Sequence, residues 1–128
     1  MLVAYLTHPF SLKHEMGSHH PECPDRVRVI DDHLRATGLL DFMREVTAEP
    51  ANVETILRAH SEHLVSELES IAPLEGYAGI DGDTTMNPYT LDAVMHSVGA
   101  VVRAVDLVCS GESPRAFCNI RPPGHHAE

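Results

Sequence analysis

The sequence contains no tryptophan, and aromatic residues make up only 5% of its 128 positions. A hydrophobic core must therefore be built mainly from Val, Leu, Ile, Met and Ala, within the 43% of residues that are hydrophobic. This is enough for a modest core, and the length is typical of one domain at most. Neither a linker nor an internal repeat divides the chain, so we predict a single domain unit over residues 1–128.

Basic residues are also scarce, since nine Lys and Arg stand against nineteen Asp and Glu, for a formal net charge of −10. Nucleic-acid binding requires clustered positive charge for the phosphates, so the composition argues against that function. An acidic surface weakly favours a cationic ligand. Net charge governs steering and solubility more than the choice of a partner.

Cysteines are few and far apart, and Cys23, Cys109 and Cys118 form no CxxC pair. This spacing indicates free thiols in a reducing compartment. The only apolar run at the amino terminus is too short to cross a membrane and lacks the basic residues and cleavage site of a signal peptide. We therefore expect a cytoplasmic protein without a membrane partner.

The apolar pattern predicts an α/β protein. LVAYL is a continuous apolar run typical of a central strand that is buried on both faces. Weaker or later strand patterns occupy 42–49 and 115–120, and helices are predicted at 24–38, at 50–73 in two pieces with Ser61 as an N-cap, and from Asn87 to Gly111. This alternation predicts a parallel sheet with crossover helices.

The longest helix has the clearest periodicity in the chain. Its large apolar residues recur at i, i+3 and i+4 and are Leu91, Val94, Met95, Val98, Val101, Val102, Val105 and Val108. We predict that this stripe packs in the core. The preceding segment, GYAGIDGDTTMNP, is predicted to be a loop.

Two histidine-rich segments, THPFSLKHEMGSHHPE and RPPGHHAE, each follow a predicted strand. Ligands of parallel sheets bind beyond the carboxyl ends of strands, so both segments should lie on one rim. His125 and His126 are adjacent, and imidazole can transfer protons in either direction near neutral pH. The prolines before them stiffen the approach. The alternative is a chance pair on a surface loop, or the remnant of a purification tag.

The string RPPGHHA resembles the active-site signature of the zinc-dependent histone deacetylase family. That family includes bacterial deacetylase-like amidohydrolases, acetoin-utilisation proteins and acetylpolyamine amidohydrolases. HPECPDRVRVIDDHL, RAHSEHLVSELE and the segment from DGDTTMNP to the end of the long helix resemble further family segments, in the family's order. HPECPDR is more similar to class II and bacterial members than to class I enzymes. The resemblance implies an arginase-like α/β fold, of which this chain is the amino-terminal portion.

The resemblance also implies roles for individual residues. His125 would hold and electrostatically support the catalytic water, and His126 would act as general base and then as general acid. Asp83 would accept hydrogen bonds from the substrate backbone at the rim. Arg26 would lie near the internal channel for released acetate; the alternative is an ion pair on an exposed helix face.

The rim loop carries the remaining predicted substrate-binding residues. His20, Pro21 and Glu22 would shape the rim where class II enzymes meet substrate, or would form a purely structural turn. A metal site from His19, His20 and Cys23 is conceivable, but the spacing matches no standard zinc pattern, so we predict no metal ligand. No role is predicted for His8, His14, His19, His33 or His96.

The implied reaction is zinc-assisted hydrolysis of N-acetyl-lysine or a related acetylated amine, such as a polyamine or small-molecule amide. The family's Asp-x-His ligand pair, its later Asp ligand and its catalytic Tyr have no counterpart here. We therefore predict that zinc belongs to the complete family domain, that this chain alone binds none, and that it is inactive alone. Exposed sheet edges would favour homo-oligomers. The alternative function is a non-catalytic interaction or assembly module.

Overall fold

The computed structural model describes residues 2–124, in which strands and helices alternate. The elements are β1 (Val3–Leu6), α1 (Asp25–Ala36), β2 (Met43–Val46), α2 (Val53–Ile56), α3 (Glu62–Ile71), β3 (Ala78–Gly79), β4 (Thr85–Met86), α4 (Thr90–Cys109) and β5 (Ala116–Cys118). Single turns of 3-10 helix occupy Pro9–Leu12 and Leu39–Phe42.

A three-stranded parallel sheet in the order β2–β1–β5 forms the centre of the structure. Ala4 of β1 pairs with Arg44 on one side and with Ala116 on the other. Ala4, Tyr5 and Leu6 are at most 1% exposed, as expected for a middle strand covered on both faces. The predicted α/β fold with a central first strand is confirmed.

Helix α4 packs on this sheet through small side chains. Ala93, Ala100, Ala104 and Leu107 are buried, and the last three join Ala4 and Leu6 in one apolar cluster. The prediction that the valine stripe lies in the core is wrong in part, because Val101, Val102, Val105 and Val108 are between 41% and 55% exposed. At Gly99 the helix lies too close to its neighbours for any side chain.

The closest approach to α4 is made by the segment that follows β2. The amide of Ala51 donates a hydrogen bond to the carbonyl of Met95 at 2.9 Å. A Cβ atom added to Gly99 would lie 2.0 Å from the carbonyl oxygen of Glu49. Glycine is therefore required at position 99 because a side chain would clash with the backbone of Glu49, and not because of a left-handed backbone conformation.

The helices begin and end close to their predicted positions. The Ser61 hydroxyl oxygen accepts the Leu64 amide at 3.2 Å, which confirms the N-cap of α3. Gly38 follows α1 with φ of 72°, a left-handed conformation that favours glycine. Asn87 lies before α4 instead of capping it, because the helix begins at Thr90.

The segment predicted as a loop before α4 contains the short antiparallel pair β3–β4. Each of these strands has only two residues, which is too short for an alternating pattern to indicate it. Among residues 2–124, no helix is both long enough and apolar enough to cross a membrane.

Candidate active site

The loops that follow β1 and β5 meet beyond the carboxyl ends of these neighbouring strands. The Asn119 amide donates to the Leu6 carbonyl at 2.9 Å, and the Thr7 hydroxyl donates to the Asn119 carbonyl at 2.8 Å. The prediction that both histidine-rich segments approach one rim is therefore confirmed as far as Gly124.

Arg121 is the most deeply buried large side chain at this rim, with 0% exposure. Its Nε and Nη2 atoms donate to the two carboxylate oxygens of Glu22 at 2.9 and 2.7 Å, a bidentate ion pair. Its Nη1 atom donates to the backbone carbonyls of Ser11, at 2.8 Å, and His14. The charge and the donors of this guanidinium are thus satisfied inside the protein, as burial requires.

The backbone of Arg121 is held as well. Its amide donates to the Ser11 hydroxyl oxygen at 3.1 Å, and its carbonyl accepts the Ser97 hydroxyl of α4 at 2.8 Å. The loop that leaves β5 is therefore tied both to the loop after β1 and to the long helix.

Glu22 was predicted to lie on the substrate rim, and its carboxylate faces Arg121. Burial opposes ionisation of this carboxyl, but the hydrogen bonds and positive charge of Arg121, together with those of Arg26, hold its pKa below the ordinary value. Glu22 is therefore ionised at neutral pH.

Arg26, predicted to line the product channel, extends the same network. Its Nε atom donates to Glu22 Oε1 at 3.2 Å, and its Nη2 atom donates to the Ile120 carbonyl at 2.7 Å. The side chain is 40% exposed. Arg26 thus connects α1 to the backbone of Ile120, the residue before Arg121. The alternative prediction, an ion pair on an exposed helix face, does not include this contact.

His20 and Asp83, both predicted on the rim, form a pair although they are 63 residues apart. His20 Nε2 donates to Asp83 Oδ1 at 3.0 Å, while Nδ1 accepts the Glu22 amide at 3.1 Å. The hydrogen bond to Asp83 raises the pKa of His20. The Asp83 carboxylate is 92% exposed and open to a ligand. Pro21 is exposed between these contacts.

His14 is a rim residue that the sequence did not indicate. It is 1% exposed, and its Nδ1 atom lies 2.8 Å from the Thr90 hydroxyl oxygen. Burial, followed by the nearby charge of Arg121, lowers the pKa of His14 to about 4. The surrounding loop has no periodicity, so nothing in the sequence distinguishes this histidine from its exposed neighbours.

Asn119 fixes the end of β5 from inside the core. Its Nδ2 atom donates to the Tyr5 hydroxyl oxygen at 2.9 Å and to the Val27 carbonyl at 3.0 Å. The Tyr5 hydroxyl in turn donates to Asp31 Oδ1 at 2.9 Å, and burial raises the pKa of Tyr5 to about 12. The start of the rim loop is therefore anchored to β1 and α1.

The arrangement of two strand ends, a buried arginine and a paired His–Asp rim can be compared with known proteins. The family model for the histone deacetylase domain matches residues 20–128. The chain belongs to the histone deacetylase family.

Alignments with two members of the family include most of this chain but only part of each relative. A probable deacetylase from Archaeoglobus fulgidus is 36% identical over 130 residues, spanning 100% of this chain and 36% of that protein. A histone deacetylase-like amidohydrolase from Pseudomonas aeruginosa is 30% identical over 107 residues, spanning 84% of this chain and 28% of that protein. The chain therefore spans about a third of the length of these relatives.

The fold of the deacetylase family is also found in a solved structure. The crystal structure of the HDA15 HD domain matches with a TM-score of 0.89 at 24% identity, over 98% of this chain and 37% of that one. The described residues thus form part of a histone deacetylase fold.

Deacetylases of this family are generally zinc-dependent, so the presence of metal-binding side chains in the described residues is relevant. Residues 2–124 contain no group of three or more His, Cys, Asp or Glu side chains that could hold a metal ion. His19, His20 and Cys23 are within this range and do not form such a group. The described residues therefore do not fit a catalytic zinc, which needs three protein ligands.

The predicted catalytic pair, His125 and His126, lies outside the described residues. The structure shows how the chain is held up to Arg121, four residues before His125.

Proposed function

We propose that this chain is the amino-terminal part of a zinc-dependent deacetylase that hydrolyses N-acetyl-lysine or a related acetylated amine. The family match over residues 20–128 carries the proposal, because it includes RPPGHHA directly after β5. The substrate would be an acetylated lysine peptide, an acetylated polyamine or a small acetylated amine. The protein would act in the cytoplasm.

The two histidines would perform the acid–base chemistry. His125 would hold the attacking water, and His126 would accept its proton as the oxygen attacks the acetyl carbonyl. His126 would then return the proton to the leaving amine as the C–N bond breaks, which releases acetate. An imidazole with an ordinary pKa near 6.5 is suited to both transfers at neutral pH.

The rim would bind the rest of the substrate. The Asp83 carboxylate, which accepts a hydrogen bond from His20 at 3.0 Å and is otherwise exposed, would accept backbone N–H groups of the substrate. His20, Pro21 and Glu22 would shape the loop around the substrate. Arg26, beside the Ile120 carbonyl at 2.7 Å, would lie on the path of the released acetate.

In this proposal zinc belongs to the complete family domain. Its ligands would come from a further part of that domain, since residues 2–124 offer no metal-binding group. The 128-residue chain alone would then neither retain zinc nor turn over substrate.

A chimera tests this function directly. Residues 1–128 are joined to the part of the Archaeoglobus fulgidus deacetylase that lies beyond the aligned region, and turnover of an acetyl-lysine reporter is measured with and without zinc. We expect zinc-dependent turnover by the chimera, its loss in His126→Ala, and background turnover by residues 1–128 alone. His19→Ala, an exposed histidine of the rim loop, is the control.

Two outcomes would contradict the proposal. A folded, zinc-loaded chimera without turnover would refute deacetylation of this substrate class. Zinc-dependent turnover by residues 1–128 alone, lost in His126→Ala, would show that metal ligands are present where the proposal places none.

A second candidate function, an assembly module, is favoured by one surface. Val101, Val105 and Val108 of α4 and Ala116 of β5 line an apolar groove of about 340 Å³. Among the described residues, β5 pairs only with β1, so its other edge lies beside this groove. Such a surface favours association, including with a second copy of the chain.

A further inference from the structure

The Glu22–Arg121 ion pair differs from the other ion pairs of residues 2–124 in its burial. The Arg121 side chain is 0% exposed and that of Glu22 is 18% exposed. By contrast, the side chains of Arg28 and Asp25 in a helix-surface pair are 53% and 64% exposed. Water screens the surface pair, whereas the buried pair holds a fixed geometry.

The pair also joins segments that are distant in sequence. Glu22 lies in the loop after β1, and Arg121 lies 99 residues later in the loop after β5. Ser11 contacts the same arginine through both its backbone carbonyl and its hydroxyl oxygen. The ion pair therefore fixes one rim loop against the other.

Arg121 is held at every polar group, and this determines the direction in which the chain leaves it. Its guanidinium is paired with Glu22, its amide donates to Ser11, and its carbonyl accepts from Ser97. Pro122 and Pro123 follow, and proline fixes φ near −65°. The fixed φ angles of the two prolines therefore restrict the backbone between Arg121 and Gly124, the residue before His125.

We propose that Glu22 and Arg121 are positioning residues, which orient the Arg121–Gly124 turn that leads in sequence to the proposed acid–base pair His125 and His126. The inference rests on the proposed function. It gives Glu22 a role through Arg121 rather than in direct contact with substrate. A loosely held general base loses most of its catalytic advantage, so the orientation of this turn matters for the rate.

Nuclear magnetic resonance of the 128-residue chain tests the positioning without any activity. The readout is the heteronuclear NOE of the Gly124 amide. In Glu22→Gln, we expect the Gly124 NOE to fall toward that of a mobile terminus. Asp25→Asn, which breaks the exposed pair with Arg28, should leave the Gly124 NOE unchanged.

Two further variants keep the test decisive if Glu22→Gln does not fold. The double variant Glu22→Leu, Arg121→Met removes both charges of the buried pair, and the Arg26 side chain that also contacts Glu22 is 40% exposed to water. Arg121→Lys keeps the charge but loses the bidentate geometry. A folded variant of either kind with an unchanged Gly124 NOE would overturn the proposal. Unfolding of all three variants would also overturn it, because the pair would then support the whole fold rather than the turn.

The chimera separates this inference from the proposed function. In an active chimera, Glu22→Gln should lower kcat by about tenfold or more with little change in KM, and Arg121→Lys should retain part of the rate. Full kcat in Glu22→Gln together with inactivity of His126→Ala would refute the positioning role and leave the deacetylase function intact. An inactive chimera would refute the function, while the NMR result would still decide the positioning.

Discussion

At the scale of single residues, His14 is a buried imidazole that the fold keeps neutral. The unfolded chain has an ordinary histidine pKa near 6.5, whereas the folded value is about 4. Between these two pH values the unfolded state binds more protons, so stability rises with pH. The stabilisation is fully present above pH 6.5 and is lost as the pH falls toward 4, by up to about 3 kcal/mol.

We expect His14→Asn to weaken this pH dependence. Asparagine retains a short amide that can donate to Thr90 but does not titrate. Between pH 7 and pH 5, the free energy of unfolding should fall by about 2 kcal/mol less in the variant than in the wild type. Urea unfolding at the two pH values measures the difference.

The matched control for this prediction is His19→Asn, because His19 is exposed in the same loop. It should leave the pH dependence as it is in the wild type. An equal loss of stability in wild type and His14→Asn would show that His14 does not titrate in this window.

The residues of the site could be predicted from the sequence only where a local pattern marks them. HPECPDR indicates His20 and Arg26 through resemblance, and DGDTTMNP indicates Asp83 in the same way. The structure places these three residues at or beside the rim. The pairing of Glu22 with Arg121 is set by tertiary contact across 99 residues, for which a single sequence carries no signal. The burial of His14 depends on packing against α4 in the same way.

At the scale of elements, α4 shows that the space between a helix and its neighbours can determine which helix face is buried, even against the hydrophobicity of the residues. Valines and small residues both recur at helical spacing along this helix. Hydropathy favours the valines for the core, but the neighbouring backbone at Glu49 and Ala51 leaves space only for glycine at position 99. Alanines and Leu107 occupy the rest of the buried hydrophobic positions of the helix. The helix could be predicted from its period, whereas its inner face could not.

Whether Gly99→Ala stabilises or destabilises the protein tests this close approach. In an open helix this change stabilises by about 1 kcal/mol, because alanine has the higher helix propensity. Here the new Cβ would lie 2.0 Å from the Glu49 carbonyl oxygen, so we expect destabilisation by about 1–3 kcal/mol. The midpoint of urea unfolding measures the change.

Gly82→Ala is the control, since an added Cβ there meets no atom within 4 Å. It should shift the midpoint far less than Gly99→Ala. A more stable Gly99→Ala protein would mean that the segment after β2 does not contact α4 as described.

At the scale of the whole molecule, association of two copies through the apolar groove between α4 and β5 is opposed by their net charge. The net charge of −10 repels a second copy, while the exposed valines attract it. Salt screens the repulsion and leaves the apolar attraction, so association should increase with ionic strength.

We expect sedimentation equilibrium to show dimers whose population rises with protein concentration and with salt. Val105→Lys places a charge in the groove and should restore the monomer. Val29→Lys, on the exposed face of α1 at 57% exposure, should not. A monomer under all conditions, or an equal effect of both variants, would exclude this groove as the contact surface.

The strand order has a consequence for synthesis on the ribosome. β1 emerges first but lies in the middle of the sheet, and its second partner begins at Ala116. About 70 residues separate β2 from β5, which at about 5–20 residues per second corresponds to roughly 4–14 s of translation. During this interval the edge of β1 that later pairs with β5 is open, so we expect the nascent protein to present a binding site for chaperones that the finished sheet covers.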